Sequence, residues 1–445
     1  MTKKKYTYFI QTYGCQMNEL DSEVMAGILH TKGLERANSI DDANIVILNT
    51  CSIRKTAENK IFNKISLLKD KGKILGIAGC MPMIKKDELL KKYPFISFLV
   101  GTKNIPELES IIDKLIKDKK DKSFNLEETT YDINYLKAVR KSNLKAFVSI
   151  IRGCNNFCSY CVVPYTRGRE ESRKKEQILD EVKFLAHQGV KEITLLGQNV
   201  NSYGRDFSNN NNNNNNSHFP DLLYDLNKID GIERIRFLTS HPKDITKELI
   251  FAIRDLGKLC NHIHFPLQAG SNKILKLMNR SYTVEKYLEM VDFIYKTIPE
   301  ASLGTDIIIG FPNETEDDFE KTYKLFEKIR YTQSFIFAYS PRKNTLAYDK
   351  FEDNIPKSEK LRRLNKLLNL HKKIVLDDSK KLINKTFDVL IEDYKNDKTL
   401  LKGRTTCNRK VVFKAPTNLA EPIQIGSTKK IKIIDVNHQT LIGSI

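Results

Sequence analysis

Two apolar periods alternate along residues 1–122. Short apolar runs, YTYFIQ (6–11), NIVILN (44–49), KILGIAG (73–79) and SFLVG (97–101), read as strands. Helical spacing fills the gaps over about 19–32, 54–70, 84–92 and 104–119, the second stretch carrying Ala57, Ile61, Ile65 and Leu68 on one face. This alternation predicts an α/β domain, a parallel sheet with helices on both faces. Residues 123–139 are polar and aperiodic and read as a linker. From 140 to 372 the alternation resumes in longer units, with strands expected at 146–152, 192–197, 234–240, 262–268, 303–310 and 334–340. Six βα units predict a partial (β/α)6 barrel, a fold whose working residues sit at strand C-termini. A basic helical pattern covers 356–379. Beyond it, FDVLIEDY, LLKGRT, KVVFKA, KKIKIIDV and TLIGSI predict a small all-β, OB-like barrel within 373–445.

Composition narrows the partners. The 445 residues carry a formal net charge of +19, and residues 371–445 alone hold 15 Lys/Arg against 8 Asp/Glu. A basic surface attracts polyanions through counterion release, which makes nucleic acid the leading partner; a lysine-rich composition is the bland alternative. No stretch is apolar enough to span a bilayer and the start has no signal-peptide core, so the expected location is cytoplasmic, without membrane attachment. The asparagine run at 208–217 reads as an expanded surface loop.

The eight cysteines change the picture most. Cys154, Cys158 and Cys161 fall within eight residues, IIRGCNNFCSYC, directly after an expected strand. Three thiolates at this spacing can wrap one face of a compact metal centre. Zinc usually takes four closed ligands, whereas a 4Fe–4S cube held by three leaves one iron for another ligand; the spacing favours the cube and leaves zinc open. Cys15, Cys51 and Cys80 are far apart in sequence, yet each directly follows one of the first three expected strands, so a parallel sheet would gather them along one edge. Three separate buried cysteines are the alternative. Cys260 and Cys407 stand alone and read as ordinary small residues. Neither G-x-G-x-x-G nor G-x-x-x-x-G-K-[ST] occurs, so no dinucleotide or P-loop site is supported.

At the first triplet, with Tyr160 before its last cysteine, the chain resembles the radical S-adenosylmethionine (SAM) superfamily. With YGCQMNELDSE (13–23), NTCSIRKTAENK (49–60), RGCNNFCSYCVVPYTRGREESR (152–173), LLGQNVNSYG, TSHP and GRTTCNRKVVF, it resembles over its whole length the methylthiotransferases, built from an N-terminal methylthiotransferase domain, a radical SAM core and a C-terminal TRAM module. The departures, GCMPMI at 79–84 and the asparagine run, touch no ligand. The resemblance implies two 4Fe–4S clusters, each on three cysteines, and SAM as cofactor. One cluster would split SAM to a 5′-deoxyadenosyl radical; the other would present sulfur. The implied reaction is methylthiolation of C2 of N6-isopentenyladenosine at position 37, beside the tRNA anticodon. Enzymes acting on threonylcarbamoyladenosine or on a ribosomal protein are the sister readings. The implied partners are the tRNA anticodon stem-loop and an electron donor such as flavodoxin or ferredoxin, with the chain a monomer.

Polar residues at expected strand ends supply further candidates. Gln198 and Gln268, with Tyr160, are assigned to the cofactor, while Asn199, Ser240, His241, Asp306, Tyr339, Ser340 and Arg342 lie nearby. His241 is equally a structural histidine. Arg167 and Arg169, flanking Gly168 beside the triplet, and Arg404 and Arg409 in the C-terminal barrel are the candidate RNA contacts, since guanidinium suits phosphate.

Overall fold

The computed structural model describes residues 6–51, 55–124, 126–127, 133, 135–207, 217–395, 400–415 and 423–445. The asparagine run, expected to be a surface loop, lies almost wholly outside the described residues.

Strands β1 (Thr7–Tyr13), β2 (Glu35–Arg36), β3 (Ile45–Thr50), β4 (Ile74–Gly79) and β5 (Phe98–Val100) form one sheet in the order β2-β1-β3-β4-β5. All its pairings are parallel. Side chains alternate across it: Ile45 and Ile47 join one apolar layer, Val46 and Leu48 the other. Helices α1 (Gln16–Thr31), α2 (Lys55–Leu67), α3 (Cys80–Lys92) and α4 (Leu108–Lys117) form the crossovers. The last buries Leu108, Ile111, Ile112 and Leu115, a helical stripe of the expected kind. Both α1 and α3 start earlier than the apolar pattern suggests. In α1 the reason is that Asn18, Asp21, Ser22 and Glu23 are polar yet buried, which hides its first turns from a hydrophobic count.

The expected linker is not a free tether. Ile133 and Tyr135 are buried in the N-terminal core, and the Arg173 guanidinium lies 4.2 Å from the centre of the Tyr135 ring. Arg140 then binds Glu23 of α1 at 3.1 Å and Glu181 of the central region at 2.6 Å, stitching the two regions through buried charge.

The central region holds β6 (Lys145–Ser149), β7 (Ile151–Arg152), β8 (Glu171–Ser172), β9 (Glu192–Leu196), β10 (Arg234–Phe237), β11 (His262–His264), β12 (Ser302–Ile309) and β13 (Gln333–Ala338). Strands β10-β9-β6 and β11-β12-β13 form two parallel sheets, and a bridge between Ile235 and Leu259 joins them into an open six-strand barrel. The strand expected at 146–152 is broken. After Ile150 the chain turns away, and β7 pairs antiparallel with β8 to close the neck of the cysteine loop.

Strands β14 (Thr386–Lys395), β15 (Leu400–Thr405), β16 (Lys410–Lys414), β17 (Thr428–Asn437) and β18 (Thr440–Ser444) close into a barrel in the order β14-β15-β16-β18-β17, around Val389, Ile391, Leu401, Val411, Phe413 and Ile431. This barrel docks at the N-terminal ends of the central strands. Arg234, the first residue of β10, donates to the Asp388 carbonyl at 3.0 Å; Ser302, the first of β12, donates to the Cys407 carbonyl at 2.8 Å; and Gln333, the first of β13, accepts from Asn408 at 3.2 Å. No described helix is long and apolar enough to cross a membrane.

Candidate functional site

Cys154, Cys158 and Cys161 share the loop between β7 and a short helix, α5 (Val163–Arg167). Gly153 makes the turn into it with φ +73, and a Cβ there would stand 1.8 Å from the Arg169 carbonyl oxygen. Its amide donates to the Gln198 side-chain oxygen at 2.6 Å, so Gln198 props the loop from the end of β9. Phe157 holds φ 45, a left-handed conformation that costs about 1–3 kcal/mol unless its surroundings enforce it. The surroundings are one turn, 277–280. Asn279 donates to the Phe157 carbonyl at 2.9 Å, the Ser159 amide donates to the Met278 carbonyl at 3.0 Å, and the Ser159 hydroxyl donates to the Leu277 carbonyl at 2.8 Å.

The same turn delivers Arg280, which the sequence reading missed because no spacing links it to the cysteines. Its Nη1 lies 3.3 Å from Cys158 Sγ, Nη2 donates to the Pro266 carbonyl at 3.3 Å, and Nε donates to the Tyr282 hydroxyl at 3.0 Å. On the outer side Asn156 donates to Cys154 Sγ at 3.3 Å. Burial first, then the neighbouring Cys158 charge, pushes the Cys161 thiol up to about 12; burial likewise pushes Cys154 up to about 11. Both shifts favour the neutral thiol, and a bound cation is what would hold Cys154 and Cys161 as thiolates.

The second set is built by register. Tyr13 pairs with Thr50 and Thr50 with Gly79, so Cys15, Cys51 and Cys80 leave three adjacent strands at one edge, with neighbouring strands about 4.8 Å apart. Cys15 caps α1 and Cys80 is the first residue of α3, positions where the helix dipole favours a thiolate. Gly79 turns at φ +92 with its would-be Cβ 2.4 Å from the Thr50 carbonyl oxygen, so only glycine serves before Cys80. An asparagine pair fixes the edge: Asn18 donates to the Asn49 side chain at 3.1 Å, and Asn49 donates to Ser22 at 2.8 Å.

Arg167 corrects an expectation. It was read as an RNA contact, but it is 5 % exposed and its Nη2 binds Asp21 of α1 at 2.8 Å. It is one of the charges acting on Cys80, whose thiol burial pushes up while Arg167 pulls down. The adjacent Thr166 carbonyl accepts from the Thr102 hydroxyl at 2.6 Å. Helix α5, which follows Cys161 directly, therefore packs against the domain that carries the second set. The two sets are parts of one continuous structure.

Among the described residues no three His, Cys, Asp or Glu side chains converge on a single-ion site. One zinc, with Zn–S bonds of about 2.3 Å, would draw its thiolates close together. Toward the strand ends above the first set, buried polar atoms lack partners among the described residues: Gln268 Oε1, Asn199 Oδ1, Ser240 Oγ and both amide atoms of Asn201. Buried polar groups are normally satisfied, so this array fits a polar ligand. Gln268 reaches it with φ 68. Tyr160 packs beside Arg280, and burial pushes its phenol well up. His241 accepts from the Lys243 amide at 3.2 Å, and burial, reinforced by Arg280, Lys243 and Arg205, lowers it to about 2. It is a neutral structural histidine.

The other candidate RNA contacts divide. Arg169 is exposed, 4.3 Å from the centre of the Phe157 ring, a stacked cation at the mouth of the first loop. Arg404 and Arg409 line a cleft of about 1060 Å³ at the seam between the C-terminal barrel and the core, together with Lys410, Lys414 and His438. Both are partly committed there, Arg404 to Glu392 and Asn408, Arg409 to Ser379. Arg342, expected at a strand end, pairs with Glu58 of α2 at 2.8 Å. Cys260 and Cys407, read as unrelated, lie within electrostatic reach of each other across the seam.

Three family profiles match the chain: the radical SAM superfamily over residues 148–326, the uncharacterized protein family UPF0004 over 7–101, and the TRAM domain over 380–445. A tRNA-2-methylthio-N6-dimethylallyladenosine synthase of Protochlamydia amoebophila is 48% identical, covering 98% of this chain and 96% of the relative. The enzyme of that name from Thermoanaerobacter pseudethanolicus is 45% identical over 99% of this chain and 93% of its own length. Among solved structures, the radical SAM methyltransferase TsrM of Kitasatospora setae, with cobalamin and a 4Fe–4S cluster bound, matches 77% of this chain and 74% of that one at TM-score 0.55 and 12% identity, a likeness of fold.

Proposed function

The chain belongs to the family of tRNA-2-methylthio-N6-dimethylallyladenosine synthases, radical SAM enzymes, and from that premise we propose that it methylthiolates C2 of N6-isopentenyladenosine at position 37 of tRNA. The observation that carries the reading is the pair of three-thiol sets within one packed unit, one in a loop at the barrel mouth and one at a sheet edge. When bound, a cluster on Cys154, Cys158 and Cys161 supplies the electron that cleaves SAM, and a cluster on Cys15, Cys51 and Cys80 supplies the sulfur.

The chain's own groups do the rest. Gln198, the 277–280 turn and the β7–β8 clasp hold the first loop in its left-handed turn. The unpartnered polar atoms of Gln268, Asn199 and Ser240 offer hydrogen bonds to the amino acid and ribose parts of SAM. Arg169 at the mouth and the basic cleft with Arg404 and Arg409 approach the anticodon stem-loop by charge, and stacking suits its unpaired bases. We assign residues 1–122 to sulfur, 140–372 to the radical and 373–445 to RNA. A flavodoxin- or ferredoxin-type donor supplies electrons to the monomer in the cytoplasm. The relatives' names favour this substrate over threonylcarbamoyladenosine or a ribosomal protein. Nucleoside mass spectrometry of tRNA from a strain lacking the gene tests it. Loss of 2-methylthio-N6-isopentenyladenosine with accumulation of N6-isopentenyladenosine is expected; an unchanged methylthio nucleoside overturns the reading.

A further inference from the structure

Each thiol set has one buried arginine beside it, and the two are neutralised differently. Arg280 lies 3.3 Å from Cys158 Sγ, and its other contacts are the neutral Pro266 carbonyl and Tyr282 hydroxyl. Among the described residues no carboxylate pairs with it. Arg167, beside Cys80, is paired at 2.8 Å with Asp21, itself buried. The first set therefore faces a cation with no carboxylate partner among the described residues, whereas at the second Asp21 opposes part of the Arg167 charge felt by Cys80. Glu170 opposes Arg280 near Cys154, but from the half-exposed side of the loop, where solvent screens it more strongly.

We propose that this asymmetry sets the order of reduction: Arg280 makes the cluster on Cys154, Cys158 and Cys161 the easier of the two to reduce, and the Arg167–Asp21 pair keeps the other oxidised and able to hold sulfur. The inference rests on the two-cluster reading above. A one-electron donor gives up one electron, and the cluster that accepts it gains one negative charge. A nearby fixed cation favours that state, and a hydrogen bond to the ligating sulfur acts in the same direction. Arg280 is thus a positioning and tuning residue, not one that touches substrate.

The test is a redox titration followed by electron paramagnetic resonance, one cluster at a time. In the C15A/C51A/C80A background, R280Q is expected to lower the reduced-to-oxidised ratio at fixed potential about tenfold, a downward shift of about 59 mV. R280K, which keeps the charge and changes the donors, is expected to shift less than half as far. In the C154A/C158A/C161A background, D21N exposes the Arg167 charge and is expected to raise the second cluster's potential by a comparable amount. Should R280Q with a fully loaded cluster, or D21N, leave its potential unmoved, the inference is overturned. If R280Q fails to load, R280K and D21N still decide. Iron content separates the two levels: a triple variant that loads no cluster at all defeats the two-cluster reading itself, whereas loaded clusters with unshifted potentials defeat only the tuning.

Discussion

The two thiol sets solve one problem by opposite means. The first is local: three cysteines in one loop, shaped by a glycine, a strained phenylalanine and a turn from elsewhere in the barrel. The second is non-local: one cysteine from each of three strands, gathered by parallel register. A local set depends on loop conformation and can be read from spacing. A non-local set depends on the sheet, and a register slip of one residue would turn its cysteines to the wrong face. Catalytic dependence should split along the same line.

The largest expected effect breaks the comparison outright. Alanine at Cys154, Cys158 or Cys161 should reduce both 5′-deoxyadenosine release and methylthiolation to below about one thousandth, because residues acting as a unit fail together. Alanine at Cys15, Cys51 or Cys80 should leave 5′-deoxyadenosine release intact and abolish methylthiolation. Chromatography of both products in one assay checks the pair, and loss of both activities in the second group would mean a single shared site. Next, G79A should cost about 1–3 kcal/mol in strain and empty the second set alone. Iron should drop from about eight to about four per chain, as expected for losing one of two cubes. Smaller still, Q198A leaves the buried Gly153 amide without its acceptor, a cost of about 1–3 kcal/mol. Its loop should lose iron faster on incubation while the second set keeps its own.

The smallest effect falls on the barrel that carries the first set. His241 is held at about 2 against an ordinary 6.5. Below pH 6.5 the unfolded chain takes up a proton that the folded one refuses, so stability falls as pH drops, by up to about 1.4 kcal/mol per unit for this group. Urea unfolding at pH 7 and pH 5 should show the loss, and H241N should flatten it.

Much of this was legible. Strand–helix alternation located the sheets and both barrels because their apolar periods are regular, and Cys15, Cys51 and Cys80 do follow three adjacent parallel strands at one sheet edge. What stayed hidden was the buried polar layer. Asp21, Asn18 and Arg167 look like surface residues in any hydrophobic count, yet each is buried because its partner comes from far along the chain. Arg280 was hidden for the same reason: its meeting with Cys158 depends on barrel closure. The strand break after Ile150 is hidden because Ile150 and Ile151 carry the apolar run straight across it.

The C-terminal barrel docks where the central strands begin, whereas the cysteine loop lies where they end. Eight residues of β12 separate these levels by about 25 Å. A substrate held at one end and worked on at the other is gauged by length. If the barrel holds the RNA as proposed, truncating an RNA beyond that reach should raise KM while leaving the modified atom unchanged, which KM and product analysis on shortened stem-loops would check.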